Sequence, residues 1–159
     1  MMTGMSKRVV KELVYDASPD EVRAMLFDPA FRERVLADQR VLRGSARVDG
    51  GVVTVEQVQS ADGLPSVATK IVGDEISIVQ RETWTTDDHA DVEVTIPGKP
   101  GEITGTATLL ERDGATIERI DLEVSVRIPL VGGKLEALIA GMLEKALDKE
   151  QATGRAWLS

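Results

Sequence analysis

From residue 41 to 128 apolar residues largely recur at every second position, and from 132 to 157 they recur at every third or fourth. The first period belongs to strands, the second to a helix. A run of strands followed by one long amphipathic helix has few ways to fold, because the helix must bury its stripe against one face of the sheet. Leu135, Leu138, Ile139, Met142, Leu143, Ala146 and Leu147 form that stripe, and Trp157 falls on the same line. Lys134, Glu136, Glu144, Lys145, Asp148 and Lys149 are assigned to the opposite face. A sheet that curls around one helix can leave a cavity, and a cavity suggests a ligand.

Upstream of the strand run, residues 6–16 alternate loosely and read as a first strand. Ser18-Pro19-Asp20-Glu21 then combines a good N-cap, a proline suited to the first helical position and the Glu of a capping box. The helix that follows places Val22, Met25 and Leu26 on one side. Asp28-Pro29 interrupts it and restarts a second short helix, with Phe31, Val35 and Leu36 as its apolar side.

Strands are expected at 41–49, 52–60, 75–86, 89–96, 102–112 and 115–128. Asp49-Gly50-Gly51 and Asp113-Gly114 are hairpin signals, and Pro97-Gly98-Lys99-Pro100-Gly101 is a turn. Residues 61–74, with Gly63, Pro65 and Gly73, read as a loop holding at most one helical turn. All other strand connections are short, so the sheet should be an antiparallel meander after its first strand. Pro129, Gly132 and Gly133 end it and release the last helix.

Composition excludes several functions. With 159 residues the chain has the length of one domain. It has no cysteine, so disulfides, thiolate metal sites and thiol nucleophiles are ruled out. The absence of cysteine also fits a reducing cytoplasm, and the N-terminal MMTGMSKR has no apolar stretch behind its charges, which argues against a signal peptide. No run approaches the roughly 20 apolar residues of a membrane span. A net charge of -8 and 3% aromatic residues oppose nucleic acid, both electrostatically and for want of stacking platforms. Nothing in the sequence sets an oligomeric state.

The order of elements, with several local stretches, resembles the START-like helix-grip superfamily of polyketide cyclases, lipid-transfer proteins and pollen allergens (SRPBCC). Those stretches are Ala17-Ser18-Pro19-Asp20-Glu21-Val22, Gly63-Leu64-Pro65, Gly73-Asp74-Glu75, Glu82-Thr83-Trp84, Pro97-Gly98-Lys99-Pro100-Gly101, Ile128-Pro129-Leu130-Val131-Gly132-Gly133-Lys134, Glu150-Gln151 and Trp157-Leu158. They look like one bacterial domain-of-unknown-function branch. The resemblance implies a single START-like domain over 1–159. Its fold would be α+β, a curved antiparallel sheet of about seven strands wrapped on the C-terminal helix, with two short helices after strand one. It also implies a cavity for apolar or amphipathic small molecules, and it carries over no catalytic residues and no cofactor.

Individual residues sharpen this. Ile76, Ile78, Gln80, Glu82 and Trp84 share one face of a strand. If that face points inward, Gln80 and Glu82 are polar groups in an apolar cavity and could orient a ligand head group. If a twist takes them to the rim, Glu82 pairs with a neighbouring arginine. Glu118 raises the same question on the strand carrying Ile120, Leu122, Val124 and Val126. Arg81, Arg119 and Arg127 fall on the opposite faces and should be solvated. Gly141, which costs about 1 kcal/mol in a helix interior against Ala, forms with Ala137 and Ala140 a small-residue patch, either a gap for ligand or a point of close packing. His89, beside Asp87 and Asp88, reads as a solvated turn residue rather than a base or metal ligand, and Gly132-Gly133 lacks the pattern of a phosphate loop.

The residues expected to meet a ligand are therefore Ile78, Gln80, Glu82, Trp84, Val94, Leu122, Leu138, Gly141 and Met142. No catalytic or metal-binding set is expected. The reading is non-catalytic binding of a lipid- or polyketide-like molecule. The alternatives are a cyclase, dehydratase or isomerase working through a cavity carboxylate, Glu82 first among them, or a filled core engaged in protein contact.

Overall fold

The structure is a computed structural model describing residues 6–159. Strand β1 (Lys7–Tyr15) leads into α1 (Pro19–Leu26) and α2 (Pro29–Asp38). Strands β2 (Arg43–Asp49) and β3 (Val52–Ser60) form a hairpin, followed by α3 (Ser66–Val72). Strands β4 (Glu75–Thr86), β5 (His89–Thr95), β6 (Gly101–Arg112) and β7 (Ala115–Val126) complete the sheet before α4 (Gly132–Leu158). The sheet has seven strands in the order β1-β7-β6-β5-β4-β3-β2, every neighbouring pair antiparallel. Six strands thus form a meander, and β1 joins it by pairing with β7. This is the α+β helix-grip arrangement that the resemblance implies.

Local chemistry accounts for the turn into the helices. Ser18 Oγ accepts from the Glu21 amide at 3.2 Å while Glu21 Oε1 accepts from the Ser18 amide at 3.1 Å, a complete capping box. Asp28 caps α2 by accepting from the Ala30 amide at 2.9 Å. The two helices bury Val22, Met25, Leu26, Phe31, Val35 and Leu36, at roughly 1.5–3 kcal/mol for each large side chain.

Glycine is required where backbones come closest. A Cβ on Gly105 would lie 1.9 Å from the Asp121 carbonyl oxygen, so no other residue lets β6 approach β7 in this way. A Cβ on Gly154 would lie 2.5 Å from Tyr15 Cε1, so the last turns of α4 rest directly on β1.

Four expectations need correction. Residues 61–74 hold the seven-residue helix α3, not a single turn. Glu136 is buried, not solvated: its Oε2 accepts from the Val126 amide at 2.9 Å and tethers α4 to the end of β7. Three residues before Ile139 and four before Ala140, Glu136 lies on the stripe by spacing. Trp157 is half-exposed and packs edge-on to Phe31, with centroids 5.6 Å apart. Ala137 and Gly141 are exposed, and a Cβ on Gly141 would meet nothing within 4 Å. Gly141 lies about 200° around the helix from Ile139, which puts it on the solvent side. Only Ala140 of the small-residue patch is buried.

Candidate functional site

A cavity of about 690 Å³ lies between the concave sheet face and α4, within the roughly 300–1,000 Å³ typical of small-molecule sites. Its sheet wall is aliphatic: Ile76 and Ile78 from β4, Val92 and Val94 from β5, Ile120 and Leu122 from β7. Leu138, Ile139, Met142 and Leu143 form the α4 side, and Ala68, Ile71 and Val72 of α3 close the flank. Alternation along each strand makes this wall, since every second side chain points inward.

At one end the wall becomes polar. Arg32 from α2, Gln80 and Glu82 from β4, Glu118 from β7 and Glu150 from α4 all line it. Arg32 and Glu82 form a two-pronged ion pair, Nη1 to Oε2 at 3.0 Å and Nη2 to Oε1 at 2.8 Å. Their side chains are only 3% and 6% exposed. Arg32 Nε donates to the Leu26 carbonyl at 2.8 Å, Gln80 Nε2 to Glu82 Oε2 at 2.8 Å and Trp84 Nε1 to Glu82 Oε1 at 3.1 Å. Glu82 thus accepts from three side chains, enough to hold a carboxylate away from water. Burial works against the charge on Arg32, but Glu82 and Glu150 outweigh it and hold the guanidinium above its ordinary pKa.

Glu118 is the counterpart of this satisfied pair. It is 1% exposed, and its Oε1 has no hydrogen-bond partner. Burial, then repulsion from Glu150 and Glu82, push its pKa well above the ordinary carboxylate range, with Arg32 pulling the other way. Glu150 is pushed up to about 7 by burial, against the pull of Arg32 and with a further push from Glu82. Beside Glu118, the Tyr15 hydroxyl is buried without a partner, and its pKa is raised by burial and then by Glu118. The polar end therefore holds one matched ion pair, a Glu118 carboxyl that burial biases toward its protonated form, and a Glu150 carboxyl that titrates at about 7.

Ile78, Gln80, Glu82, Val94, Leu122, Leu138 and Met142, among the expected ligand-facing residues, all line the cavity. Trp84 and Gly141 do not. The Trp84 ring centroid lies 5.6 Å from that of Phe27, beside the first helices, and its Nε1 donates to Glu82. Glu82 is not on the rim, although it does pair with an arginine. His89 opens β5, with Nδ1 3.4 Å from Thr108 Oγ1 and Nε2 3.5 Å from Asp91. Among the described residues no group of three or more His, Asp or Glu side chains is placed to hold a metal ion, and no helix is long and apolar enough to cross a membrane.

The description "Protein of unknown function (DUF2505)" matches residues 11–158. The chain belongs to the DUF2505 family. An uncharacterized protein of Mycobacterium tuberculosis (H37Rv) is 28% identical over 162 residues, spanning 91% of this chain and 92% of that one. Solved structures of the same fold include the protein TTHA0849 from Thermus thermophilus, with TM-score 0.68 and 18% identity over 96% of this chain and all of that one. A START superfamily protein from Mycobacterium smegmatis gives TM-score 0.61 and 14% identity, covering 96% of this chain and 99% of that one. The fold of this DUF2505 member is START-like.

Reading the sequence missed Arg32 and Glu150. Both carry a signal in their spacing. Arg32 lies three and four residues before Val35 and Leu36, and Glu150 lies three and four residues after Leu147 and Ala146. Each is a charge on an apolar stripe, and a buried charge requires a partner.

Proposed function

We propose that the protein binds an apolar or amphipathic small molecule in the cavity, without catalysis, and that the chain works as a single START-like domain in the cytoplasm. The observation that carries this reading is the cavity itself, about 690 Å³ with aliphatic walls and a buried polar end. An empty apolar space of that size is costly to a domain unless something fills it. The polar end fixes which way an amphipathic molecule lies, and the aliphatic walls supply affinity without demanding one shape.

Nile red, a neutral dye that brightens in apolar surroundings, tests the reading. It should bind at micromolar concentration and be displaced by long-chain alcohols. Ile78→Trp, which fills the space beside α4, should weaken binding with little loss of stability. In a packed interior the same change would cost about 1–3 kcal/mol. A destabilised Ile78→Trp variant, together with no dye binding to the parent, would sink the proposal.

A second reading is favoured by the unpartnered Glu118. A buried carboxyl that holds its proton in an apolar cavity can serve as a general acid in a cyclase, dehydratase or isomerase reaction. Glu118, not Glu82, is the group for that work, because Glu82 is neutralised by Arg32. Such a group would speed exchange of solvent deuterium into a long-chain methyl ketone, and Glu118→Gln would abolish that exchange. No acceleration over buffer removes this reading.

A further inference from the structure

The polar end of the cavity has an imbalance of donors and acceptors. Its donors are committed: Arg32 is held at Nε and at both terminal nitrogens, while Gln80 and Trp84 give their N–H groups to Glu82. Its acceptors are not: Glu118 Oε1 is buried without a partner, and Glu150 faces the same space. The charges are unequal too. Glu82, Glu118 and Glu150 face one guanidinium, that of Arg32, which Glu82 already matches. The remaining cations that edge the cavity, Arg40, Lys99, Lys145 and Lys149, are exposed, and among the described residues none forms an ion pair with Glu118 or Glu150.

We propose that the molecule held in this cavity carries a basic amine, its ammonium seated between Glu118 and Glu150 and its apolar body lying along the aliphatic wall toward Leu138. This rests on the cavity-binding reading and narrows it to one class, the amphipathic amines. An ammonium supplies three donors and one positive charge where the site has unspent acceptors and surplus carboxyls. A carboxylate head, as in a fatty acid, would find no free cation to offset its charge and would hold Glu118 and Glu150 in their uncharged forms. An alcohol would gain a hydrogen bond without the charge. Burial favours the protonated form of Glu118, and Glu150, at about 7, is only partly ionised near neutral pH, so an arriving ammonium releases protons into solvent, and no other reactant is needed.

Decylamine, decanol and decanoate share one chain and differ only in the head group. Their displacement of Nile red at pH 7 should show the amine bound about tenfold or more tighter than the alcohol, and the carboxylate weakest. Glu118→Gln with Glu150→Gln should erase the amine preference and keep alcohol binding. Glu144→Gln, the same loss of charge at an exposed position of α4, should preserve the preference. Calorimetry of the unaltered protein in two buffers of different ionisation heat gives a measurement that needs no variant: the amine should release protons and the alcohol none. Equal or tighter binding of alcohol or decanoate overturns the amine assignment and leaves the cavity reading standing. So does a preference that survives the double variant, or that Glu144→Gln removes equally. If Nile red and all three chains fail to bind, the cavity reading falls and this one falls with it.

Discussion

Over its first half, α4 carries Leu138, Ile139, Met142 and Leu143 above open apolar space, and Gly141 behind them faces solvent. Over its second half the same helix rests on Tyr15 through Gly154, bonds Thr153 Oγ1 to Asp38 at 2.7 Å, and brings Glu150 to the Arg32–Glu82 pair. One regular helix thus spans a loosely filled region and a tightly specified one. A continuous hydrophobic stripe reveals which face of a helix is inward, but not whether that face meets another side chain or empty volume. The difference lies in the partners: beyond the Glu136 tether to β7, aliphatic tips face a gap in one half, whereas the other half meets the side chains of β1 and α2 directly.

The largest test of this contrast is at the specified end. Arg32→Met should cost about 3–5 kcal/mol in urea unfolding, because it strands Glu82 as a buried charge. Adding Glu82→Gln should return much of that loss, and a double variant as unstable as the single would show that packing, not charge, governs this end. Gly154→Ala should destabilise by about 1–3 kcal/mol, since its methyl group has to displace the Tyr15 ring. Gly141→Ala, in the open half, should instead stabilise by up to about 1 kcal/mol; thermal melts that move the two alanine variants in the same direction would erase the contrast.

The next test uses pH. Glu118 and Glu150 have raised pKa values in the folded chain, so above the ordinary carboxylate pKa the folded state binds more protons than the unfolded one. The stability they favour is therefore greatest at low pH and is lost as pH rises, for Glu150 between the ordinary Glu value and about 7. Glu118→Gln should raise the melting temperature by a few degrees at pH 8 and change it little at pH 4.5. An equal shift at both values would show that Glu118 is not titrating. The smallest effect belongs to His89→Ala. His89 lies outside both halves of the cavity and should melt within about 0.5 kcal/mol of the parent.

Period revealed the strands and the last helix, because backbone geometry dictates which side chains share a face, and the residue types at Ser18 and Glu21 revealed the capping box. The same alternation put Gln80 and Glu82 on one strand face with Ile76 and Ile78, and left open whether that face points into the cavity or to its rim. It could not name the partner of Arg32, because Glu82 is fifty residues away on another element, nor show that Gly154 meets the Tyr15 ring. Trp84 shared the correct strand face and still missed the cavity, because the ring leans toward Phe27 and the first helices. Faces are local properties of a strand or helix. Partners and voids arise only when the elements meet.

The pairing of β1 with β7 has a consequence for how the protein is made. Leu13 sits opposite Glu118, so the first strand waits for a partner roughly a hundred residues downstream. At ordinary rates of synthesis that is on the order of 5–20 s with Val9, Leu13 and Tyr15 uncovered. The meander from β2 to β6 can pair as it emerges from the ribosome, while β1 has no neighbouring strand until β7 is made. Glu118 and Glu150 come from the last strand and the last helix, so the proton-holding end is assembled only after the rest of the sheet exists.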